Sequence, residues 1–481
     1  MESRKSEEAA MTHAVGTSLL ERIKGLAKVW LDVAGSAKGG ETLHFAPDLS
    51  GDDPERLAAQ MRACLDAKGG EVSARARASA LGREYLALSG DGRRRFLQVM
   101  ADRFGPDRAR VDAAIATLAA ADDAARPAAE QALRAALEPP RVRLLAQFNA
   151  LPEGIKFLVD LRAELAGMGA GDPGLAALEA DLKALLTAWF DVGFLELSRI
   201  TWRSPALILE KLIAYEAVHA IQGWDDLKNR LDSDRRLYAF FHPRMPDEPL
   251  IFVEVALVRG LAGNVQELLD PTAPVGDPAQ ADTAIFYSIN NAQRGLNGIS
   301  FGNFLIKKVV EELSREFPRL KTFATLSPIP GFAAWLNQRL AAGEPGLLNA
   351  AEHHRLGQVS HGLGAKGSLK ALLADPAWHR DALFAEALQP VLTRLAARYL
   401  SAEKNERGKA LDPVAQFHLA NGARVERLNW LADLSRKGLG QSFGLMVNYL
   451  YKPDEIEANH EAYVGTGRVA VSGEVRALAK G

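Results

Sequence analysis

Three segments hold residue types that could do chemistry. In Gln293-Arg-Gly-Leu-Asn297-Gly298-Ile299-Ser300-Phe301-Gly302-Asn303, glycines let the backbone approach a ligand closely. A helix starting near Asn303 would offer unpaired N–H groups and the positive end of its dipole. That is the physics of a diphosphate cradle, although a glycine pair before a helix more often makes a plain turn. In Thr325-Leu-Ser327-Pro-Ile-Pro-Gly331, two prolines and a glycine fix the backbone, so the Ser327 hydroxyl is held in place. Capping a turn or the next helix is the ordinary use of such a serine. His418, between Phe417 and Leu419, is a candidate for proton transfer, though a histidine so placed is more often a core residue. Finally Phe443, Leu445, Val447, Tyr449 and Tyr451 alternate along a strand, which puts Tyr451 on the face of Tyr449.

The elements around these segments fall into two parts. Residues 1–190 read as an all-helical domain with a role in self-association. Behind Asp53-Pro54, Leu57, Met61, Cys64 and Leu65 repeat at the helical period, and Cys64 reads as a small core residue. Phe96, Leu97, Met100 and Phe104 repeat the pattern, and Val111, Ile115 and Leu118 open another helix. Residues 191–481 read as an α+β domain, a mixed sheet with flanking helices. Strands are predicted over 195–202, 237–241, 250–257, 284–289 and 322–326. Helices are predicted over 205–215 and 303–317, the second with Leu305, Val309 and Leu313 on one face. Residues 340–410 are mainly helical, Asp412-Pro413 opens a short turn or helix carrying His418, and Asn421-Gly422 makes a tight turn.

Composition narrows the function classes. The chain has 481 residues, a length that favours two domains, and a formal net charge of -2. So balanced a charge offers no field to recruit nucleic acid or an anionic membrane. One cysteine excludes an internal disulfide and any multi-cysteine metal site. The charged start, Met1 to Glu8, lacks an apolar signal core, and no apolar run is long enough to span a bilayer, so the cytoplasm is the default location. His353, His354 and His361 lack the spacing of a zinc site, and the 362–368 segment has the wrong order for a P-loop.

Taken in order, these motifs resemble the malonyl-CoA decarboxylase family. The likeness runs through the glycine loop and Phe-Leu-Ile-Lys-Lys-Val-Val, Leu-Ser-Pro-Ile-Pro-Gly-Phe, Pro-Val-Ala-Gln-Phe-His-Leu-Ala-Asn-Gly-Ala, and Gly444-Leu-Met-Val-Asn-Tyr-Leu-Tyr451. Tyr215-Glu-Ala-Val-His219 and the 284–289 strand belong to it as well, and it covers about residues 190–455. The glycine segment also resembles the acyl-CoA loop of the GCN5-related N-acetyltransferase fold, in which a thioester lies between two splayed strands. The resemblance implies an enzyme that converts malonyl-CoA to acetyl-CoA and CO2 with no cofactor, coenzyme A entering as part of the substrate. It implies 191–481 as the acyl-CoA-binding catalytic domain, a catalytic serine at Ser327, there a proton acceptor, and a catalytic histidine at His418. It places the CoA loop on Asn297, Gly298, Ile299, Ser300, Phe301, Gly302 and Asn303, and an active-site tyrosine at Tyr451. It further implies a homodimer or homotetramer. Some members carry a glutamate where this chain has Ser300, so any role of that acid does not transfer.

Other activities have a foothold in the sequence. Gly298-Ile-Ser300-Phe-Gly302 and Gly440-Gln-Ser442-Phe-Gly444 match the G-x-S-x-G of a hydrolase nucleophile elbow. An elbow needs its serine at a strand-to-helix turn. Ser300 follows its strand by a long loop, and Ser442 leads into a strand. An acyl-CoA hydrolase, an acyltransferase and a non-catalytic malonyl-CoA sensor stand as alternatives.

Overall fold

The computed structural model describes residues 30, 44–66, 70–169, 171–299, 304–359 and 369–480. The chain divides into two compact units: 1–196 with 241–250 and 291–300, and 197–240 with 251–290 and 301–481.

The first unit is helical. Its described helices are Asp53–Leu65, Gly70–Ala87, Gly90–Arg103, Arg108–Ala120, Arg126–Leu137, Pro140–Asn149, Gly154–Met168 and Pro173–Trp189. Their starts are encoded locally. Ser89 accepts the amide of Gly92, Asp107 those of Ala109 and Arg110, and Asp172 those of Gly174 and Leu175 ahead of Pro173. The apolar period predicts the core here, with Leu57, Met61, Cys64, Phe96, Leu97, Met100 and Phe104 all buried. Burial pushes the Cys64 thiol up to about 11, as suits an inert packing residue. One helix behaves otherwise. Arg108–Ala120 forms, but none of its residues is buried, and Ile115 is 50% exposed. It packs on Arg126–Leu137, whose buried residues are the small Ala129 and Ala136.

The strands of the second unit are β1 Glu196–Ile200, β2 Arg235–Phe241, β3 Ile251–Val258, β4 Thr283–Asn291, β5 Thr322–Thr325, β6 Ser327–Pro328, β7 Arg424–Asn429 and β8 Met446–Tyr451. Among the described residues they form an eight-stranded mixed sheet in the order β1-β2-β3-β4-β5-β8-β6, with β7 pairing β8 off that path. β2 and β3 pair antiparallel and are buried along almost their whole length, and the charged Glu254 within β3 is paired with Arg230 at 2.9 Å. Between β4 and β5 runs the helix Phe304–Glu316, the crossover that parallel pairing requires. Leu305, Val309 and Leu313 are buried on its inner face, as their spacing predicts. Its C-terminal Glu316 pairs with Arg236 of β2 at 2.6 Å.

The parallel pair of β4 and β5 is what shapes a site. Its register runs from Thr283↔Thr322 to Phe286↔Thr325, and the amide of Leu326 closes on Phe286. β4 then continues to Asn291, while the chain after β5 turns to β8, where Ser327 pairs with Val447. The two strands therefore part at Phe286 and Thr325. A splay of this kind is what the acetyltransferase resemblance predicts, and Ser327 stands at its start.

Candidate active site

His418 is positioned by a short helix whose start is written in the sequence. Asp412 accepts the amides of Val414 and Ala415 at 2.9 and 3.0 Å, Pro413 takes the first helical position, and the helix Pro413–Ala420 brings His418 into its last turn. Ser327 is positioned by strand pairing, with the turn through Pro328, Pro330 and Gly331 behind it. The second Asp412 oxygen accepts the Gly331 amide at 3.2 Å, so one buried carboxylate ties the histidine's helix to the serine's turn.

The three predicted catalytic residues meet. Nε2 of His418 lies 3.2 Å from Ser327 Oγ, and Nδ1 lies 2.7 Å from the Tyr451 hydroxyl. All three are buried, at 6% exposure for Ser327, 3% for His418 and 2% for Tyr451. The imidazole stacks on Tyr449, ring centroids 4.5 Å apart and planes 23° from parallel. Tyr449 and Tyr451 thus share the face that their alternation predicts. Loss of water depresses His418 to about 3, so the ring is neutral at physiological pH. Burial also pushes the Tyr449 and Tyr451 hydroxyls well above the usual range for tyrosine. A neutral imidazole between two hydroxyls can accept a proton on one nitrogen while donating from the other.

Sequence reasoning missed Thr325, whose Oγ1 lies 2.8 Å from Ser327 Oγ and accepts the Tyr449 amide at 3.1 Å. It missed Asn448 too, which donates to the Thr325 carbonyl at 2.7 Å and accepts from Asn429 and Arg427. The signal for Thr325 was its position two residues before Ser327, on the same side of an extended chain. No comparable signal marks Asn448.

The loop predicted to hold coenzyme A is described only in part. Asn297, Gly298 and Ile299 are described, and belong to the helical unit; Ser300, Phe301, Gly302 and Asn303 lie outside the described residues. Gly298 has φ +73°, a conformation natural to glycine. Just before it, a Cβ on Gly295 would come 1.8 Å from the Val159 carbonyl oxygen, so only glycine fits there. Arg162 donates to the carbonyls of Gly295 and Asn297 at 2.6 and 3.0 Å, fixing the loop's entry. Of the two G-x-S-x-G serines, Ser300 lies outside the described residues. Ser442 ends the helix Arg436–Ser442, and its hydroxyl lies 2.6 Å from the Leu445 carbonyl, a structural contact. His361 and the 362–368 segment lie outside the described residues. Among the described residues, no three His, Cys, Asp or Glu side chains are grouped to hold a metal ion.

Comparison with known proteins decides the family. The model of the malonyl-CoA decarboxylase C-terminal domain matches residues 193–481, and that of the N-terminal domain matches residues 104–190. The chain belongs to the malonyl-CoA decarboxylase family. Mitochondrial malonyl-CoA decarboxylase of Anser anser anser is 38% identical over 410 residues, 82% of this chain and 81% of that protein. Its counterpart in Rattus norvegicus is 41% identical over 361 residues, 73% of each. The crystal structure of malonyl-CoA decarboxylase from Rhodopseudomonas palustris has a TM-score of 0.81 at 45% identity, covering 88% of this chain and 99% of that one. That from Agrobacterium vitis has a TM-score of 0.80 at 43% identity, with 88% and 99% covered. A malonyl-CoA decarboxylase needs a group to orient a carboxylate and a group to protonate a carbon, and a serine and a histidine 3.2 Å apart are suited to both.

Proposed function

We propose that this chain decarboxylates malonyl-CoA at the buried Ser327–His418–Tyr451 cluster. The observation that carries the assignment is the unbroken contact from Ser327 Oγ through both ring nitrogens of His418 to the Tyr451 hydroxyl.

The chemistry asks little beyond these groups. The bond between the α-carbon and the carboxylate breaks, its electron pair moves onto the thioester as an enolate, and CO2 leaves. The enolate carbon then takes one proton and the thioester carbonyl re-forms, so each turnover consumes a proton. The thioester is itself the electron sink, so the reaction is proposed to run without cofactor or metal. Ser327 hydrogen-bonds the malonyl carboxylate and orients its bond for cleavage. His418 enters the cycle neutral; the carboxylate arriving beside it favours the imidazolium, and Nε2 then supplies the proton to the enolate carbon. Tyr451 holds Nδ1 and so the plane of the ring. Backbone amides where β4 and β5 part are proposed to bind the thioester oxygen as charge develops on it. A dry setting favours the step from carboxylate to neutral CO2. The loop Asn297–Asn303 is proposed to take the coenzyme A diphosphate.

A homodimer or homotetramer in the cytoplasm is proposed on the likeness to bacterial members, and light scattering gives the subunit number. Protein incubated with malonyl-CoA should yield acetyl-CoA and CO2 in equal amounts by mass spectrometry. Free coenzyme A with malonate would mean a hydrolase instead, and unchanged malonyl-CoA from folded protein would mean a sensor.

A further inference from the structure

We infer that Tyr449 is a positioning residue whose ring face stabilises the positive charge that His418 takes on during turnover. The inference rests on the decarboxylase reading above, in which the malonyl carboxylate draws a proton onto the imidazole.

That charge finds little other support in the site. His418 is buried, and its two ring nitrogens meet the neutral hydroxyls of Ser327 and Tyr451 at 3.2 and 2.7 Å. Burial alone depresses the ring, with no carboxylate acting on it to offset the loss of water. Asp412, at the start of the same helix, is committed elsewhere. It accepts the amides of Val414, Ala415 and Gly331 and lies 3.5 Å from the Tyr399 hydroxyl. An imidazolium formed here needs a partner that is already in place.

The ring's faces supply one. Three aromatic side chains pack on His418, and Phe417 and Tyr451 stand across it at 77° and 66°. Of the three, Tyr449 alone lies face to face with it, 4.5 Å between centroids and 23° from parallel. A ring that presents its face sets the negative side of its quadrupole against a cation, and the attraction is strongest where water is excluded. The contact belongs to the ring and not to the hydroxyl, which is buried without a hydrogen-bond partner among the described residues. The ring is also held in place, because the Tyr449 amide donates to Thr325 Oγ1 at 3.1 Å and Tyr449 pairs with Val425 of β7. β8 thus brings two tyrosines to one histidine for different tasks. Tyr451 meets Nδ1 with its hydroxyl, and Tyr449 offers its face.

The test varies the charge of that face while keeping its shape. Tyr449→Leu, which removes the face, should lower kcat/KM for malonyl-CoA at least about tenfold, and Tyr449→Phe, which restores it, should recover most of that loss. The Tyr449→Phe protein is then made with phenylalanine carrying one, two or three fluorines at that position, which draw electron density off the ring. Each fluorine should lower kcat/KM about twofold. Affinity for acetyl-CoA, which has no carboxylate to charge the imidazole, should stay within about twofold across the fluorinated series by calorimetry. A folded series with constant kcat/KM overturns the inference. So does a loss of acetyl-CoA affinity in step with kcat/KM, which would mark a packing effect. If the more heavily fluorinated proteins do not fold, the comparison of no fluorine with one decides alone. Wild type that leaves malonyl-CoA unchanged would overturn the functional reading and the inference with it, whereas an active wild type with a flat series overturns the inference alone.

Discussion

Asp412 accepts the amide of Gly331 at 3.2 Å with one carboxylate oxygen while the other caps the helix of His418. The contact joins two segments eighty-one positions apart, one carrying His418 and the other starting at Ser327. Replacing Asp412 with alanine should remove the cap, worth about 1 kcal/mol, and leave the Gly331 amide without its partner. Urea unfolding is expected to shift to a lower midpoint, and turnover of malonyl-CoA to fall with it, because the 3.2 Å approach of Ser327 to His418 is no longer enforced. Asp412→Asn, which keeps a capping oxygen, should lose less of both. An alanine variant equal to wild type in midpoint and rate would refute the tie.

Tyr451→Phe removes the hydroxyl 2.7 Å from His418 Nδ1 and changes little else, since the ring packs edge-on to Phe286 in either case. A buried ring nitrogen left without its partner costs roughly 1–3 kcal/mol. The expected outcome is a lower unfolding midpoint together with a fall in kcat of at least about tenfold. Loss of stability with unchanged kcat would make Tyr451 a packing residue only.

Burial holds His418 at about 3 in the folded protein, against an ordinary histidine value of 6.5. Above pH 6.5 the ring is neutral in both folded and unfolded chains, and the stability is unaffected by its titration. As pH falls from 6.5 toward 3 the unfolded chain takes up a proton that the folded chain refuses, so stability is lost at up to about 1.4 kcal/mol per pH unit from this group. His418→Asn has no such loss. Urea titrations of both proteins at pH 7.5, 6.5, 5.5 and 4.5 should therefore show the stability difference moving in favour of the variant below pH 6.5. A difference that is constant across that range would mean His418 titrates normally.

The parts of this site legible in sequence were those set by local chemistry. Asp412-Pro413 announced the start of a short turn or helix, which the structure shows to be a helix, and the alternation in 443–451 put Tyr449 and Tyr451 on one face, where the structure has both against His418. The parts that were not legible depend on pairing across the sheet. β7 has the polar sequence Arg-Val-Glu-Arg-Leu-Asn and is a strand because β8 pairs with it. Thr325 is an ordinary strand end until β8 brings the Tyr449 amide to it. The helix Arg108–Ala120 shows the converse, since Val111, Ile115 and Leu118 have the spacing of a core-facing helix and yet none is buried. Spacing reports which residues share a face, while burial depends on what packs there.

The most direct measurement is steady-state turnover of malonyl-CoA by Ser327→Ala and His418→Asn beside wild type, with substrate affinity taken from calorimetry on each. The expected result is a fall in kcat of about 10²- to 10⁴-fold in either variant, with affinity held to within about threefold. Folded variants that turn over malonyl-CoA at nearly the wild-type rate would contradict the assignment of the chemistry to this buried pair.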